Sequence, residues 1–293
     1  MDAARIDVAL VRALIAQQFP QWNDLRVEPV VPGGWDNRSF RLGNDLLVRM
    51  PSADVYAAQV GKEQHWLPRL APHLPCDIPR LIAAGHPGLG YPWHWSVLAW
   101  INGEPASAGW PIDMRIFAIG LGRFLAALHA VSTEGGPLAG EHSFQRGGSL
   151  AFYDAEVRSA LGVLRSRVDV SGALALWDRA REAAWNRSAL WVHGDISPGN
   201  LLLREGRLCA VIDFGQLCVG DPACDLAIAW TWLNAESRQV LREALPLDEG
   251  SWLRGRAWAL WKALIVAAGH TQTNAVEYRN PLRVIAEVLK DSK

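Results

Sequence analysis

Three polar residues in one segment have the types and spacing that could bind a metal ion and orient a hydroxyl group. The segment is 190-LWVHGDISPGNLLLREGRLCAVIDFGQLCVGDPACDLA-227. Asp195 and Asn200 lie on one loop after an apolar strand, and Asp213 follows a second apolar strand. A hairpin between these strands would bring Asp213 beside the other two side chains.

Phosphoryl transfer requires such a set of residues. A carboxylate orients the attacking hydroxyl, and oxygen ligands hold magnesium on the phosphates. Mg²⁺ prefers hard oxygen donors and keeps several waters, so two protein ligands can suffice. We therefore predict that Asp195 is the catalytic base and that Asn200 and Asp213 bind Mg²⁺. The predicted partners are a nucleoside triphosphate and a small hydroxylated acceptor.

Parts of this segment also fit other functions. A single Asp in a loop with Gly and Pro is commonly a turn residue. The His-x-Asp pattern fits a metal-dependent hydrolase that uses His193, Asp195 and Asp213. A catalytically silent nucleotide-binding protein is a further alternative. Such a protein need not keep all three polar residues, so their joint presence argues against it. The joint pattern, HxDxxxxN followed by an apolar strand that ends in DFG, is much more specific and favours phosphoryl transfer.

Two regions of different patterning surround this segment. An amphipathic helix over residues 5–19 is followed by short apolar runs that predict a sheet, with one helix inserted over 55–70. The predicted strands are 25–31, 38–42, 46–50, 79–84 and 95–101. Later residues are mainly helical, with helices over 112–131, 150–187 and from 225 onward, and short strands at 190–193 and 209–212. The pattern predicts an α+β chain with domains 1–101 and 102–293.

Composition narrows the class of protein. The chain has 293 residues, of which 50% are hydrophobic, and a formal net charge of −1. A nucleic-acid partner would lead us to expect a basic face. The N-terminal residues lack the pattern of a signal peptide, and no run reaches the ~18 apolar residues of a membrane span. The four cysteines show no CxxC spacing. We predict a cytoplasmic protein with no nucleic-acid or membrane partner.

The segment resembles the aminoglycoside phosphotransferase family, whose members are related to protein kinases and phosphorylate antibiotics and other small molecules. The resemblance covers nearly the whole chain in the expected order. It implies a bilobal protein-kinase-like fold, with a small antiparallel β-sheet lobe that carries one key helix and a larger, mainly helical lobe. It assigns supporting roles to His193 and Asp225, of which Asp225 would anchor the backbone of the loop that carries Asp195.

The same resemblance assigns the nucleotide site to the N-terminal lobe. The segment 33–40, GGWDNRSF, corresponds to the hairpin that covers the phosphates, and Arg49 stands where the kinase pattern has a lysine. An arginine can still grip phosphates through its planar, two-pronged contact. The segment 95–104 resembles the hinge, which binds the base of ATP or GTP through its backbone. The predicted nucleotide-binding residues are Asn37, Ser39, Arg49, its ion-pair partner Glu63, Leu98, Ala99, Trp100 and Ile101.

The charges near the expected acceptor site do not indicate one substrate. A polycationic aminoglycoside would require carboxylates in its pocket. Residues 221–293 contain nine acidic and nine basic side chains, so there is no acidic excess. Trp230, Trp232 and Asn234 are candidates for acceptor contacts, although packing is the favoured interpretation for the tryptophans. An aminoglycoside or another antibiotic therefore remains one candidate acceptor among several.

Overall fold

The computed structural model describes residues 6–290 apart from Pro32, Trp35, Trp110 and 272–279. Trp35, which belongs to the predicted phosphate-covering hairpin, lies outside the described residues. The chain forms two compact units. The first contains the residues up to Asn102 together with Ala210–Gly215, and the second contains Gly103–Cys209 and the residues from Gln216 onward.

The first unit is built on a five-stranded antiparallel sheet, as predicted. Its strands are β1 (Val27–Pro29), β2 (Asn37–Leu42), β3 (Leu46–Pro51), β4 (Leu81–Gly85) and β5 (Trp95–Ala99), in the order β1-β2-β3-β5-β4. Gly43 has a φ of 58° and begins the tight turn between β2 and β3, which suits a residue without a side chain. Phe40, Leu42, Val48 and Met50 are buried on one face of this hairpin. The sheet therefore has one face on the core.

Two helices cover this sheet. Helix α1 (Val8–Gln18) begins at Asp7, whose carboxylate accepts a hydrogen bond of 2.8 Å from the Leu10 amide. Its apolar side belongs to the same core as β2, β3 and Trp95. Helix α2 (Asp54–Leu70) follows β3 directly and buries the polar side chains of Gln59 and Glu63. A buried glutamate needs a charged partner, so α2 carries the first indication of a polar site in this unit.

The second unit is mainly helical. It contains α3 (Met114–Ala130), α4 (Asp154–Val163), α5 (Val170–Glu182), α6 (Ile228–Thr231), α7 (Ala235–Ala244), α8 (Glu249–Ala267) and α9 (Pro281–Lys290). Its short strands are β6 (Glu104–Pro105), β7 (Leu190–Val192), β8 (Leu201–Arg204), β9 (Arg207–Val211) and β10 (Cys218–Gly220). The last two residues of β9, Ala210 and Val211, already belong to the first unit. Strand β7 pairs with β10, and β6, β8 and β9 form a separate sheet.

Helix α8 is the central helix of the second unit. Trp252, Trp258 and Trp261 are each at most 5% exposed, and buried residues occur on every side of the helix. A helix that is buried all round lies in the interior of its domain. Within the described residues, no helix is long and apolar enough to cross a membrane.

Some predicted elements differ from the structure. The region 150–187 was predicted as continuous helix, but α4 and α5 are separated because Asp169 accepts a hydrogen bond of 3.0 Å from the Gly172 amide and starts a new helix. Strands β6, β8 and β10 were not predicted. Each has only two to four residues, which is too short to show a strand period.

Candidate active site

The loop that carries Asp195 is held in place by a buried carboxylate. Strand β7 ends at Val192, and the next two backbone amides donate to the side chain of Asp225. The His193 amide donates to Oδ2 and the Gly194 amide to Oδ1, each over 2.8 Å. Asp225 is fully buried. The supporting role that the resemblance implied for this residue therefore has a definite geometry, although its catalytic importance stays a prediction.

Burial also changes the acidity of Asp225. The loss of solvent raises the pKa of Asp225 from its ordinary value of 3.8 to about 7, against the opposing effect of the Gly194 and His193 amides and the Arg146 charge. Gly194 has a φ of 88°, and a Cβ at this position would lie 2.8 Å from both Cβ and the carbonyl oxygen of Gln216. Only glycine fits this turn.

Asp195 and Asn200 are joined directly. The side-chain nitrogen Nδ2 of Asn200 donates to Oδ2 of Asp195 over 2.9 Å and to its carbonyl oxygen over 3.0 Å. This orientation leaves the amide oxygen of Asn200 as its atom for a cation. The Asp195 amide donates to Nδ1 of His193 over 3.1 Å, so this ring nitrogen is unprotonated. His193 is fully buried and supports the loop from within.

A second polar group lies in the first unit and is centred on Arg49. Arg49 projects from β3, and its Nη1 donates to both carboxylate oxygens of Glu63 on α2, over 2.6 and 2.7 Å. Its Nη2 donates to Oδ1 of Asp213. With its oxygen oriented toward Arg49, the Asn37 amide accepts from Nη2 over 2.9 Å. The structure therefore brings together four residues that the sequence proposed for nucleotide or metal binding.

The charges of this group reinforce one another. Burial would lower the pKa of Arg49, but the carboxylates of Asp213 and Glu63 outweigh burial and raise it. Burial raises the pKa of Glu63, and the guanidinium of Arg49 opposes that change. The Arg49 and Glu63 side chains are only 11% and 10% exposed. Asp213 has a φ of 66°, a left-handed conformation that aspartate tolerates better than most residues.

The other predicted nucleotide-binding residues lie on β2 and β5 or just after β5. Ser39 is opposite Arg49 in the β2–β3 pair. Leu98 is buried in β5, which ends at Ala99. The Ala99 amide donates to the Arg80 carbonyl over 2.9 Å and the Trp100 amide to the Asp45 carbonyl over 2.7 Å. These two amides are thus engaged within the unit, and Ile101 follows them half-buried.

Asp195 also lines a pocket within the second unit. Its volume is ≈ 600 Å³ with the open mouth included. Its lining includes two cations, Arg146 and Lys262, and two tryptophans of α8, Trp258 and Trp261, none of which the sequence had assigned to a site. Arg146 lies in the segment FQRGG, residues 144–148, whose residue pattern by itself predicts no chemical role. Arg146 lies far from α8 in sequence, so only the fold could bring them together.

Of the three earlier candidates for acceptor contacts, only Trp232 lines this pocket. Trp230 is 2% exposed and packs edge-on against Trp252, with 6.3 Å between ring centroids. Asn234 accepts from the Ser237 amide over 2.9 Å and caps α7. These two residues therefore have structural roles.

Residues 28–263 match the model of the phosphotransferase enzyme family. The chain belongs to this family. The match covers most of the chain, including Arg49, Glu63, Asp195, Asn200 and Asp213, and it confirms the resemblance that the sequence motifs indicated. No curated protein matches the sequence.

Solved phosphotransferase structures share the fold. The GDP complex of a mutant aminoglycoside 2'-phosphotransferase-IIIa has a TM-score of 0.71 and 19% identity, over 97% of this chain and 95% of that chain. Macrolide 2'-phosphotransferase MphH from Brachybacterium faecium has a TM-score of 0.63 and 20% identity, over 98% and 99%. The streptomycin–ATP complex of APH(2")-IIa has a TM-score of 0.59 and 16% identity, over 97% and 96%. The predicted kinase-like fold is confirmed.

Proposed function

We propose that this phosphotransferase moves the γ-phosphate of ATP or GTP to a hydroxyl group of a small molecule, with Asp195 as the catalytic base. The observation that carries the proposal is the contact between Asn200 and Asp195 on a loop anchored by Asp225. The neutral amide orients the carboxylate at 2.9 Å, and the buried anchor fixes the backbone on which both residues lie. A base held in this way can accept a proton from an aligned hydroxyl.

In the proposed reaction the protein acts mainly by positioning. Asp195 orients the acceptor hydroxyl and takes its proton as the oxygen–phosphorus bond forms, while the nucleoside diphosphate leaves on the opposite side. The pocket beside Asp195 would hold the acceptor. Alignment of the two reactants supplies a large part of the rate.

The two side chains predicted to bind Mg²⁺ carry suitable donor atoms. Asn200 and Asp213 offer hard oxygen donors, which Mg²⁺ prefers, and the amide nitrogen of Asn200 is already turned toward Asp195. Bound there, Mg²⁺ would neutralise phosphate charge. The predicted pair of ligands therefore fits the ion chemically.

The nucleotide would bind through the first unit. Arg49, fixed by Glu63, would contact the phosphates, and Asn37 and Ser39 lie on the neighbouring strand β2. The base would contact the backbone from Leu98 to Ile101. One structural relative was solved as a GDP complex and another as a complex that contains ATP. These complexes support a purine nucleotide and do not distinguish ATP from GTP.

The hydrolase alternative is weakened by His193. This residue is fully buried, and its Nδ1 accepts the Asp195 amide, so it is occupied as a support rather than presented to a metal. The silent nucleotide-binding alternative gives no reason for Asn200 to orient a carboxylate that lines a pocket. The proposed phosphotransferase explains both the contact of His193 with the Asp195 amide and the contact of Asn200 with the Asp195 carboxylate.

Nucleotide consumption by the purified protein tests the proposal. The assay contains Mg²⁺, ATP or GTP, and a panel of aminoglycosides, macrolides, cyclic peptide antibiotics, choline, amino sugars and hydroxy acids. We expect one class of acceptor to stimulate consumption and the phosphorylated acceptor to appear by mass spectrometry. Asp195→Asn should abolish the stimulation, whereas Asp24→Asn, at an exposed position of the first unit, should leave it unchanged. Equal stimulation in the Asp195→Asn variant would refute the assignment of the base.

A further inference from the structure

The pocket beside Asp195 has an unusual charge for a site that would hold a polycationic antibiotic. Resting on the proposed function above, we infer that the acceptor carries an anionic group, such as a carboxylate or phosphate, in addition to its reacting hydroxyl. Arg146 and Lys262 would bind the anion, and the tryptophans of the pocket would contact an apolar or flat part of the molecule.

Arg146 is fixed in position by aromatic rings. Its guanidinium carbon lies 4.6 Å from the ring centroid of Trp261 and 5.1 Å from that of Trp258. Its Nη1 donates to the hydroxyl of Tyr153 over 3.2 Å. Stacking engages the face of a guanidinium, while its N–H groups lie in the plane and point outward. A guanidinium immobilised in this way is preorganised to bind a carboxylate or a phosphate through two parallel hydrogen bonds.

Lys262 adds a second positive charge to the same wall. It follows Trp261 on α8, and its ammonium nitrogen lies 6.0 Å from the centroid of that ring. Among the described residues that line the pocket, Asp195 is the single carboxylate, against the two cations. Since Asp195 is assigned to the reacting hydroxyl, the rest of the lining offers positive charge to the ligand.

This balance disfavours a polycationic acceptor. Like charges that meet at a binding surface repel each other, so an aminoglycoside would be repelled by Arg146 and Lys262. A carboxylate or phosphate would instead gain charge-assisted hydrogen bonds. Trp232, Trp258 and Trp261 provide large apolar surfaces that suit a ring or an acyl chain on the same molecule. The lining therefore favours a hydroxylated organic anion.

Calorimetric titration with matched pairs of ligands tests the inference directly. Each pair is a hydroxy acid and its neutral counterpart: glucuronate with glucuronamide, p-nitrophenyl glucuronide with p-nitrophenyl glucoside, and an aromatic hydroxy acid with its amide. Kanamycin serves as the polycation. We expect at least one acid to bind about tenfold more tightly than its neutral partner, and kanamycin to bind more weakly than that acid.

Charge-removing variants identify the responsible groups. Lys262→Met and Arg146→Met should each remove most of the preference for the acid, whereas Arg167→Met, at an exposed position, should preserve it. If Arg146→Met fails to fold because its stacking is lost, Lys262→Met still decides the question. Acids and neutral partners that bind equally, no acid binding at all, tighter binding of kanamycin, or an acid preference retained in Lys262→Met would each overturn the inference.

The two proposals fail separately. An acid that binds wild-type protein with the expected preference but stimulates no nucleotide consumption would support the anion site and count against the phosphotransfer to it. Acceptor-dependent consumption that is lost in Asp195→Asn but is supported only by neutral or cationic compounds would support the phosphotransferase and overturn the anion site.

Discussion

Asp213 in the first unit and Asp195 in the second are held by partners of different kinds. Asp213 receives a hydrogen bond from the cation Arg49, which is itself bound by Glu63. Asp195 receives a hydrogen bond from the neutral amide of Asn200. The backbone around Asp195 is fixed in turn by amide donors to the buried Asp225.

The difference corresponds to what each carboxylate has to do in the proposed mechanism. The contact with Arg49 fixes the Asp213 carboxylate, which suits the metal ligand that the proposed mechanism requires there. A neutral amide orients a carboxylate without adding positive charge. In the proposed mechanism, the two aspartates thus differ in the partner that holds them, which is a cation for the metal ligand and an amide for the base.

Exchanging each aspartate for its amide tests this distinction most strongly. Asp195→Asn should lower kcat by about a thousandfold while the nucleotide dissociation constant stays within about twofold, since only the base is lost. Asp213→Asn should lower kcat and also weaken binding of magnesium nucleotide. Steady-state kinetics and calorimetric nucleotide titration separate the two effects. The same loss of nucleotide affinity in both variants would remove the distinction.

The anchor Asp225 should make stability depend on pH. Because burial raises its pKa from 3.8 to about 7, the folded state keeps a proton that the unfolded state has lost. The contribution of this group is fully present below the unfolded pKa, so the free energy of unfolding should fall as the pH rises from about 4 to about 7. Urea denaturation across this range measures the slope. The Asp225→Asn side chain cannot titrate, so this variant should show a flatter slope. An unchanged slope in the variant would mean that other groups cause the pH dependence.

Breaking the charged group of the first unit should affect both stability and nucleotide binding. Arg49→Met leaves the carboxylate of Glu63 buried without its cation, which should lower the free energy of unfolding by about 3 kcal/mol. Nucleotide affinity should fall roughly tenfold through the lost phosphate contact. Arg49→Lys should recover part of both, and Arg12→Met, at an exposed position of α1, should alter neither. Unchanged nucleotide affinity in Arg49→Met would exclude Arg49 from the site.

A smaller effect on stability is expected at Gly194, where the loop that carries Asp195 has a left-handed backbone conformation. Gly194→Ala should lower the free energy of unfolding by about 2 kcal/mol, because the new Cβ would lie against Gln216 at a left-handed φ. Gly162→Ala is a control of opposite sign. It lies in α4 with no atom within 4 Å of the added carbon, and the change should stabilise the protein by roughly 0.5 kcal/mol. Thermal denaturation of both variants would show whether the turn at Gly194 is as constrained as its geometry indicates.

Much of this arrangement could be predicted from sequence. The HxDxxxxN and DFG motifs place chemistry at fixed spacings along the chain, so Asp195 and Asn200 were identified together. Arg49 and Glu63 follow from a strand and the helix directly after it. The family and the kinase-like fold, both confirmed, follow from the order of such local patterns.

The pocket beside Asp195 could not be predicted in the same way. Arg146 lies on a loop and Lys262 on α8. Tertiary packing brings both cations close to the ring of Trp261. Counting charges over residues 221–293 averaged the lining with the exposed surface and missed Arg146 altogether. The spatial distribution of charge, rather than its sum, decides the chemistry of a pocket.

The first unit is not continuous in sequence, and this affects the order in which its parts can fold during synthesis. Val211 donates through its amide to the Asp77 carbonyl over 3.0 Å, and Asp213 binds Arg49, yet both lie in the late segment Ala210–Gly215. During synthesis the strands of the sheet leave the ribosome long before the segment Ala210–Gly215 does. Arg49 can therefore contact Asp213 only late in synthesis. A fragment that ends at Asn102 should show faster amide exchange in β3 and α2 than the full chain. Adding a peptide of residues 207–216 should restore protection in part.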